Sequence, residues 1–275
     1  MWMKTAASIA RIAVGTAAGL PLLLYLLQDR LLFFPMRLDP EDARRVRENN
    51  PEAEEINLLG DDGTPLHGWL MRPHDTNGPS PLAIYFGGNA EEVSYLIEHR
   101  AHLGNWSLLL MNYRGYGLSG GKPGEAAFFA DALRLYDVMR ARPDIDSTRI
   151  AVLGRSLGSG VAVYLASQRS VNRVVLITPF DSVTNVGQRH YPYVPVRWLI
   201  KHPFDSLSRA GAVREPLLVL AAEEDEVIPV PHAERLYNAW TGPKQWRQLL
   251  GTDHISISDH PDYWPLISEF LDIAP

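Results

Sequence analysis

The sequence predicts an α/β protein: one doubly wound, mostly parallel sheet of eight strands, with helices on both faces and a small lid insertion, preceded by an N-terminal transmembrane helix. Three observations carry this. From about residue 54, short apolar runs alternate with helix-like stretches, the pattern of β-α units around a parallel sheet. The first two strand-like runs, EEINLL (54–59) and LHGWLM (66–71), flank GDDGTP, a hairpin signal. Residues 12–27, IAVGTAAGLPLLLYLL, carry no charge.

The elements follow in order. Extending this run back to Thr5 takes in Arg11, one turn from the uncharged stretch and able to snorkel, so a single span over residues 5–27 is expected. A cleaved signal peptide is the rival, but the run ends in LLQDRLLFFP, which lacks small residues at a cleavage site. Counting the arginines after the span favours a cytoplasmic C-terminal domain. The layout of a short basic start before an apolar run favours export, and an extracytoplasmic domain is the expectation. Residues 30–37, RLLFFPMR, are aromatic, apolar and flanked by arginines; they suit a membrane interface or a packing site beside the anchor. The chain therefore divides into 1–37, anchor and interfacial segment, and 38–275, the α/β domain. A chain lacking residues 1–37 is expected to be soluble and active.

After the hairpin come LAIYF (82–86), SLLLM (107–111), IAVL (150–153), RVVLI (173–177), LLVLA (217–221) and WRQLL (246–250). Such short apolar runs suit parallel strands buried on both faces. Helices are expected over 90–103, 124–141, 157–168, 231–240 and 262–272. Residues 181–213, rich in Tyr, Trp, Pro and Arg, interrupt the alternation and are read as the lid. The net charge of −6, without a long basic run, argues against nucleic acid. The absence of cysteine removes disulfides, Cys-ligated zinc and a thiol nucleophile. HExxH and P-loop signatures are missing, so no metal or cofactor is expected.

The chemistry begins at Gly154-Arg155-Ser156-Leu157-Gly158, a G-x-S-x-G between a strand and a helix. So tight a turn puts the serine in strained backbone above the sheet, at a helix N-terminus whose dipole favours developing negative charge. A serine hydroxyl needs a base. His254, in GTDHIS after the last strand, is the candidate, with His260 as alternative. The acid belongs after the strand before that, in Glu223-Glu224-Asp225-Glu226-Val227-Ile228-Pro229. Asp225 is favoured by the spacing D-x-x-I-P; Glu223 and Glu224 remain alternatives. The order Ser, Asp, His results. The oxyanion needs two converging backbone N–H groups, assigned to Leu157 and to Asn89 in Tyr85-Phe86-Gly87-Gly88-Asn89-Ala90. In the lid, Tyr191 and Trp198 are candidate substrate contacts, with packing onto the domain as the competing role.

QDRLLFFP, YFGGNA, NYRGYGLSGG (112–121), GRSLGSGVA, TPFDS (178–182), DEVIP and GTDH together resemble the α/β-hydrolase subfamily of small, N-terminally membrane-anchored serine hydrolases related to protein depalmitoylases. The resemblance implies hydrolysis of an ester or thioester through an acyl-enzyme, and the aromatic, basic surface of the lid suits an acyl chain carried by a lipid or acylated protein. Two positions depart: Gly87 stands where the family usually has His, and Asn112 where it usually has Asp. The second is expected to alter a hydrogen bond near Arg114, itself read as structural. A serine peptidase or amidase of the same fold is an alternative, as is a catalytically inert, membrane-tethered binding module.

Overall fold

The computed structural model of the chain describes residues 19, 22–73 and 78–273. The span expected over 5–27 lies mostly outside these residues. Among the described residues no helix is long and apolar enough to cross a membrane. Residues 22–32 form a helix, α1. A second helix, α2 (Pro40–Asn49), was not expected from periodicity, yet its start is written in the sequence. Asp39 accepts the Glu41 and Asp42 N–H groups, and Pro40 fills the first turn, where no N–H is needed.

Eight strands form one sheet in the order β1-β2-β4-β3-β5-β6-β7-β8. β1 (Glu54–Leu59) and β2 (Pro65–Met71) make the expected hairpin, and β2 runs antiparallel to β4 as well. β3 (Ser80–Phe86), β4 (Ser107–Met111), β5 (Ile145–Arg155), β6 (Arg173–Ile177), β7 (Leu217–Ala222) and β8 (Lys244–Leu249) are parallel. β5 starts earlier than its apolar run, because Ile145 pairs with Ser80 before the register shifts.

Alternation along the central strands feeds two cores. Leu82, Ile84 and Phe86 face α3 (Glu125–Arg140) and α4 (Leu157–Gln168). Ala83 and Tyr85 face the cluster that holds Val93, Leu96, Ile97 and the C-terminal helix. The stretch expected as a helix over 90–103 is a 3-10 helix, Val93–Leu103. Its buried residues Val93, Leu96 and Ile97 stand three and four apart, spacings that do not separate the two helix types. Residues 181–213 contain three short helices: α5 (Val183–His190), α6 (Val196–Leu199) and α7 (Leu207–Ala210). α8 (Val230–Ala239) and α9 (Tyr263–Asp272) follow β7 and β8.

The segment after α1 is built into the domain. Phe33 is 3% exposed and meets Phe128, His202 and Phe204 edge-on. The Gly117 N–H donates to the Met36 carbonyl, and the Leu38 N–H to that of Gly117.

Candidate active site

β5 ends at Arg155, and the chain reverses into α4 within one residue. Ser156 takes φ +50°, a conformation that costs an L-residue free energy and persists only where its surroundings impose it. The surroundings here are backbone. A Cβ on Gly158 would stand 2.0 Å from the Phe86 carbonyl oxygen, and one on Gly154 would stand 2.5 Å from that of Gly158. Only glycine lets the β3 loop lie against the first turn of α4. That contact brings Gly88 beside the Ser156 side chain.

His254 lies after β8 and Asp225 after β7. The His254 Nε2 is 2.9 Å from Ser156 Oγ, and its Nδ1 is 2.8 Å from Asp225 Oδ2. The other carboxylate oxygen of Asp225 accepts the N–H groups of Val227 (3.0 Å) and Ile228 (2.7 Å). The D-x-x-I-P spacing thus has a physical content: the acid that turns its own loop keeps one oxygen for the imidazole. Asp225 is buried, whereas Glu223, Glu224 and Glu226 are exposed. Glu223 accepts the Gly251 N–H instead. His260 accepts the Asp262 N–H, a local bond ahead of α9, and is not joined to Ser156.

Leu157 is the first residue of α4, and among the described residues its N–H donates to no protein acceptor. The same holds for the Asn89 N–H, whereas the Gly88 N–H is taken by Glu91 at 2.5 Å. The Asn89 side chain has its own work. It donates to the Leu32 carbonyl (2.6 Å) and accepts from the Phe34 N–H (3.0 Å) and the Tyr116 hydroxyl (2.8 Å).

That last set of bonds belongs to a circuit around the serine. Gln28 of α1 donates to the Leu199 carbonyl and accepts the Lys201 N–H, and Asp29 meets His202. His190, at the end of α5, bonds the Val227 carbonyl of the Asp225 loop. Residues 28–34, the inserted helices, the Asp225 loop and the Asn89 loop are thereby tied to one another. Along this circuit apolar side chains stand in solvent: Leu31, Phe34, Tyr191, Tyr193, Trp198 and Val227. Tyr191 and Trp198 are 63% and 77% exposed and take no part in the hydrogen bonds of Ser156.

Arg114 is structural in geometry. It donates to both oxygens of Asp131 (2.6 and 2.7 Å) and to Asp62, and Asp131 and Asp62 hold its guanidinium above its ordinary range against the effect of burial. Asn112 does not bond it. Its amide donates to Glu92 and accepts the Val93 N–H. Sequence reading missed Arg155 and Glu91, which meet behind the serine. They lie 64 positions apart, and no local pattern signals the pairing. Among the described residues no cluster of three His, Cys, Asp or Glu side chains is arranged to hold a metal ion.

No protein-family model matches the chain. The chain is 35% identical to the uncharacterized protein Rv2307c of Mycobacterium tuberculosis over 248 residues, 90% of this chain and 87% of that protein. It is 27% identical over 239 residues to the alpha/beta hydrolase domain-containing protein WAV2 of Arabidopsis thaliana, covering 78% of this chain and 76% of the relative. Among solved structures it is similar to an acetyl xylan esterase from Paenibacillus sp. R4, with a TM-score of 0.66 and 20% identity, over 91% of this chain and 99% of the esterase. With its sheet order, its strained serine between β5 and α4 and relatives of this kind, the chain belongs to the α/β-hydrolase family.

Proposed function

We propose that the protein is a serine hydrolase that cleaves an ester or thioester through an acyl-enzyme on Ser156. The observation that carries this reading is the unbroken hydrogen-bond chain Ser156–His254–Asp225. His254 Nε2 takes the hydroxyl proton as Oγ attacks the carbonyl carbon. Asp225 holds the imidazole in the tautomer with its proton on Nδ1 and stabilises the imidazolium. The oxyanion is met by the N–H groups of Leu157 and Asn89, at a helix N-terminus whose dipole favours negative charge. His254 then protonates the departing alcohol or thiol. In the second half it deprotonates water, which attacks the acyl carbon and frees Ser156. The steps draw on no cofactor.

The substrate we propose is a lipid or acylated protein at a membrane, as in the membrane-anchored hydrolases related to depalmitoylases. Support comes from the exposed apolar side chains of the circuit around Ser156 and from its charge. Segments 22–37 and 183–202 carry Arg30, Arg37, Arg189, Arg197 and Lys201 against one acid, Asp29, in a chain of net charge −6. Aromatic and basic side chains together suit acyl chains beneath anionic headgroups. In this reading residues 5–27 are the single-pass anchor, the domain lies on the extracytoplasmic side, and Tyr191 and Trp198 of the lid 181–213 receive the acyl chain.

The experiment is a series of p-nitrophenyl esters of rising acyl length, with matching thioesters. The wild type should hydrolyse both, and Ser156→Ala neither. Trp198→Ala should raise KM for medium chains far more than for acetate at unchanged Tm, because so exposed a ring contributes little to packing. Equal loss on all chain lengths, or undiminished turnover by Ser156→Ala, contradicts the reading.

A further inference from the structure

Behind the proposed catalytic residues lies an ion pair that the mechanism above does not use. Arg155 Nη1 donates to Glu91 Oε2 at 3.2 Å, with the two side chains 14% and 5% exposed. Burying two charges is unfavourable unless each finds further partners, and the partners here are informative. The second Arg155 nitrogen, Nη2, donates to the backbone carbonyl of His254 at 3.3 Å. Glu91 Oε2 also accepts the Gly88 N–H, and Oε1 accepts the hydroxyls of Tyr85 (2.8 Å) and Tyr95 (2.9 Å). One pair thus touches three loops. Arg155 is the residue before the nucleophile, Gly88 the residue before the proposed oxyanion donor Asn89, and His254 the proposed base.

The bonds have directional consequences. With the Gly88 N–H spent on Glu91, that group is turned away from any substrate, and the next N–H along, that of Asn89, is left without a protein acceptor among the described residues. On the other side, the grip on the His254 carbonyl fixes the backbone from which the imidazole reaches Oγ. The Arg155 guanidinium is held above its ordinary range: burial opposes its charge, and the Glu91 carboxylate together with Tyr85, Tyr263 and Tyr95 outweighs burial. The phenol of Tyr85 is pushed far up by burial and by the same carboxylate, so it stays a neutral donor.

We propose that the Glu91–Arg155 pair is a positioning device that sets the distance between the oxyanion loop and the base, and so acts on the transition state rather than on substrate binding. The inference rests on the serine-hydrolase reading. Positioning of this kind predicts a loss in kcat at constant KM, since an interaction aimed at the tetrahedral oxyanion contributes little to ground-state binding.

Removing one partner strands a buried charge and threatens folding, so the principal variant is the double change Glu91→Gln with Arg155→Met in the full chain. Arg155→Lys is the second, because an ammonium keeps the charge but loses the planar fork that serves Glu91 and His254 together. Each is measured for Tm, for kcat and KM on one p-nitrophenyl ester, and for inhibition by an alkyl boronic acid, whose tetrahedral serine adduct occupies the oxyanion site. The expected result is a kcat lowered about tenfold to a hundredfold in the double variant and less in Arg155→Lys. KM should stay within about twofold, and boronate affinity should fall in proportion to kcat. Unchanged kcat in both variants overturns the proposal. So does a loss of kcat in Arg155→Lys accompanied by equal changes in KM and Tm, which marks a merely structural pair. If the wild type itself neither turns over esters nor binds boronate, the serine-hydrolase reading fails, and that outcome differs from either of these.

Discussion

At Gly158 one methyl group would collide with the Phe86 carbonyl, and at position 156 a serine sits in backbone that glycine would adopt more readily. Both facts follow from a strand that must turn into a helix beside another loop, which is why G-x-S-x-G carries a physical meaning. The local part of the site is legible for the same reason: Asp225 turns its own loop, so its position is encoded by the four residues after it. His254 was separable from His260 by its place after β8. His254→Ala should lower kcat about a thousandfold or more, and Asp225→Asn somewhat less, through a misoriented imidazole. His260→Ala should leave kcat nearly unchanged, because its ring serves only the Asp262 N–H. Steady-state kinetics on the three purified variants checks this. A crippled His260→Ala with an active His254→Ala contradicts the assignment. What stayed hidden at this scale was long-range: nothing near Glu91 announces Arg155, nor anything near Asn89 the Leu32 carbonyl that its side chain holds.

The elements most accurately foreseen were the buried parallel strands, whose apolar runs have to match their length. The 3-10 helix and α2 were missed or mistyped. In the first, burial at spacings three and four does not discriminate; in the second, the signal was a cap and a proline rather than an apolar face. Of the two places the sequence allows residues 30–37, a membrane interface or the domain beside the anchor, the structure has the second. Phe33 fills a site among Phe128, His202 and Phe204, and residues 28–34 bond the inserted helices and Asn89. These contacts argue against the expectation that a chain lacking residues 1–37 is active. Losing a buried phenylalanine alone costs about 3–5 kcal/mol. A chain beginning at Leu22 should therefore keep its Tm and kcat, whereas one beginning at Leu38 should melt many degrees lower and lose kcat. Thermal melts and ester turnover of the two chains decide it. Equal stability and activity would show that residues 22–37 are dispensable.

Over the whole molecule, ion pairs at the surface and at the base of the inserted helices set the response to acid. Hydrogen bonds from Arg142 hold the Asp144 carboxyl below its ordinary range, and Arg169 does so for Asp137. At Asp181 burial pushes the other way, but bonds from His232, Arg235 and Asn185 outweigh it and the carboxyl is again held low. Groups with depressed folded values lend stability that is complete above the unfolded value, about 3.9 for Asp, and is lost as pH falls through the folded one. Tm should thus be flat from pH 7 to about 5 and fall steeply below about 4; a Tm that rises on acidification contradicts these pairings. The sheet order, its two cores and the pairing of Ser156 with His254 all serve one claim, that Ser156 is a nucleophile activated by His254. The most direct test is the intact mass of the protein after exposure to a fluorophosphonate. The wild type should gain one adduct, mapped by peptide mass to Ser156. Ser156→Ala should gain none, and His254→Ala should react far more slowly. An adduct on another residue, or equal labelling of Ser156→Ala, would contradict the account.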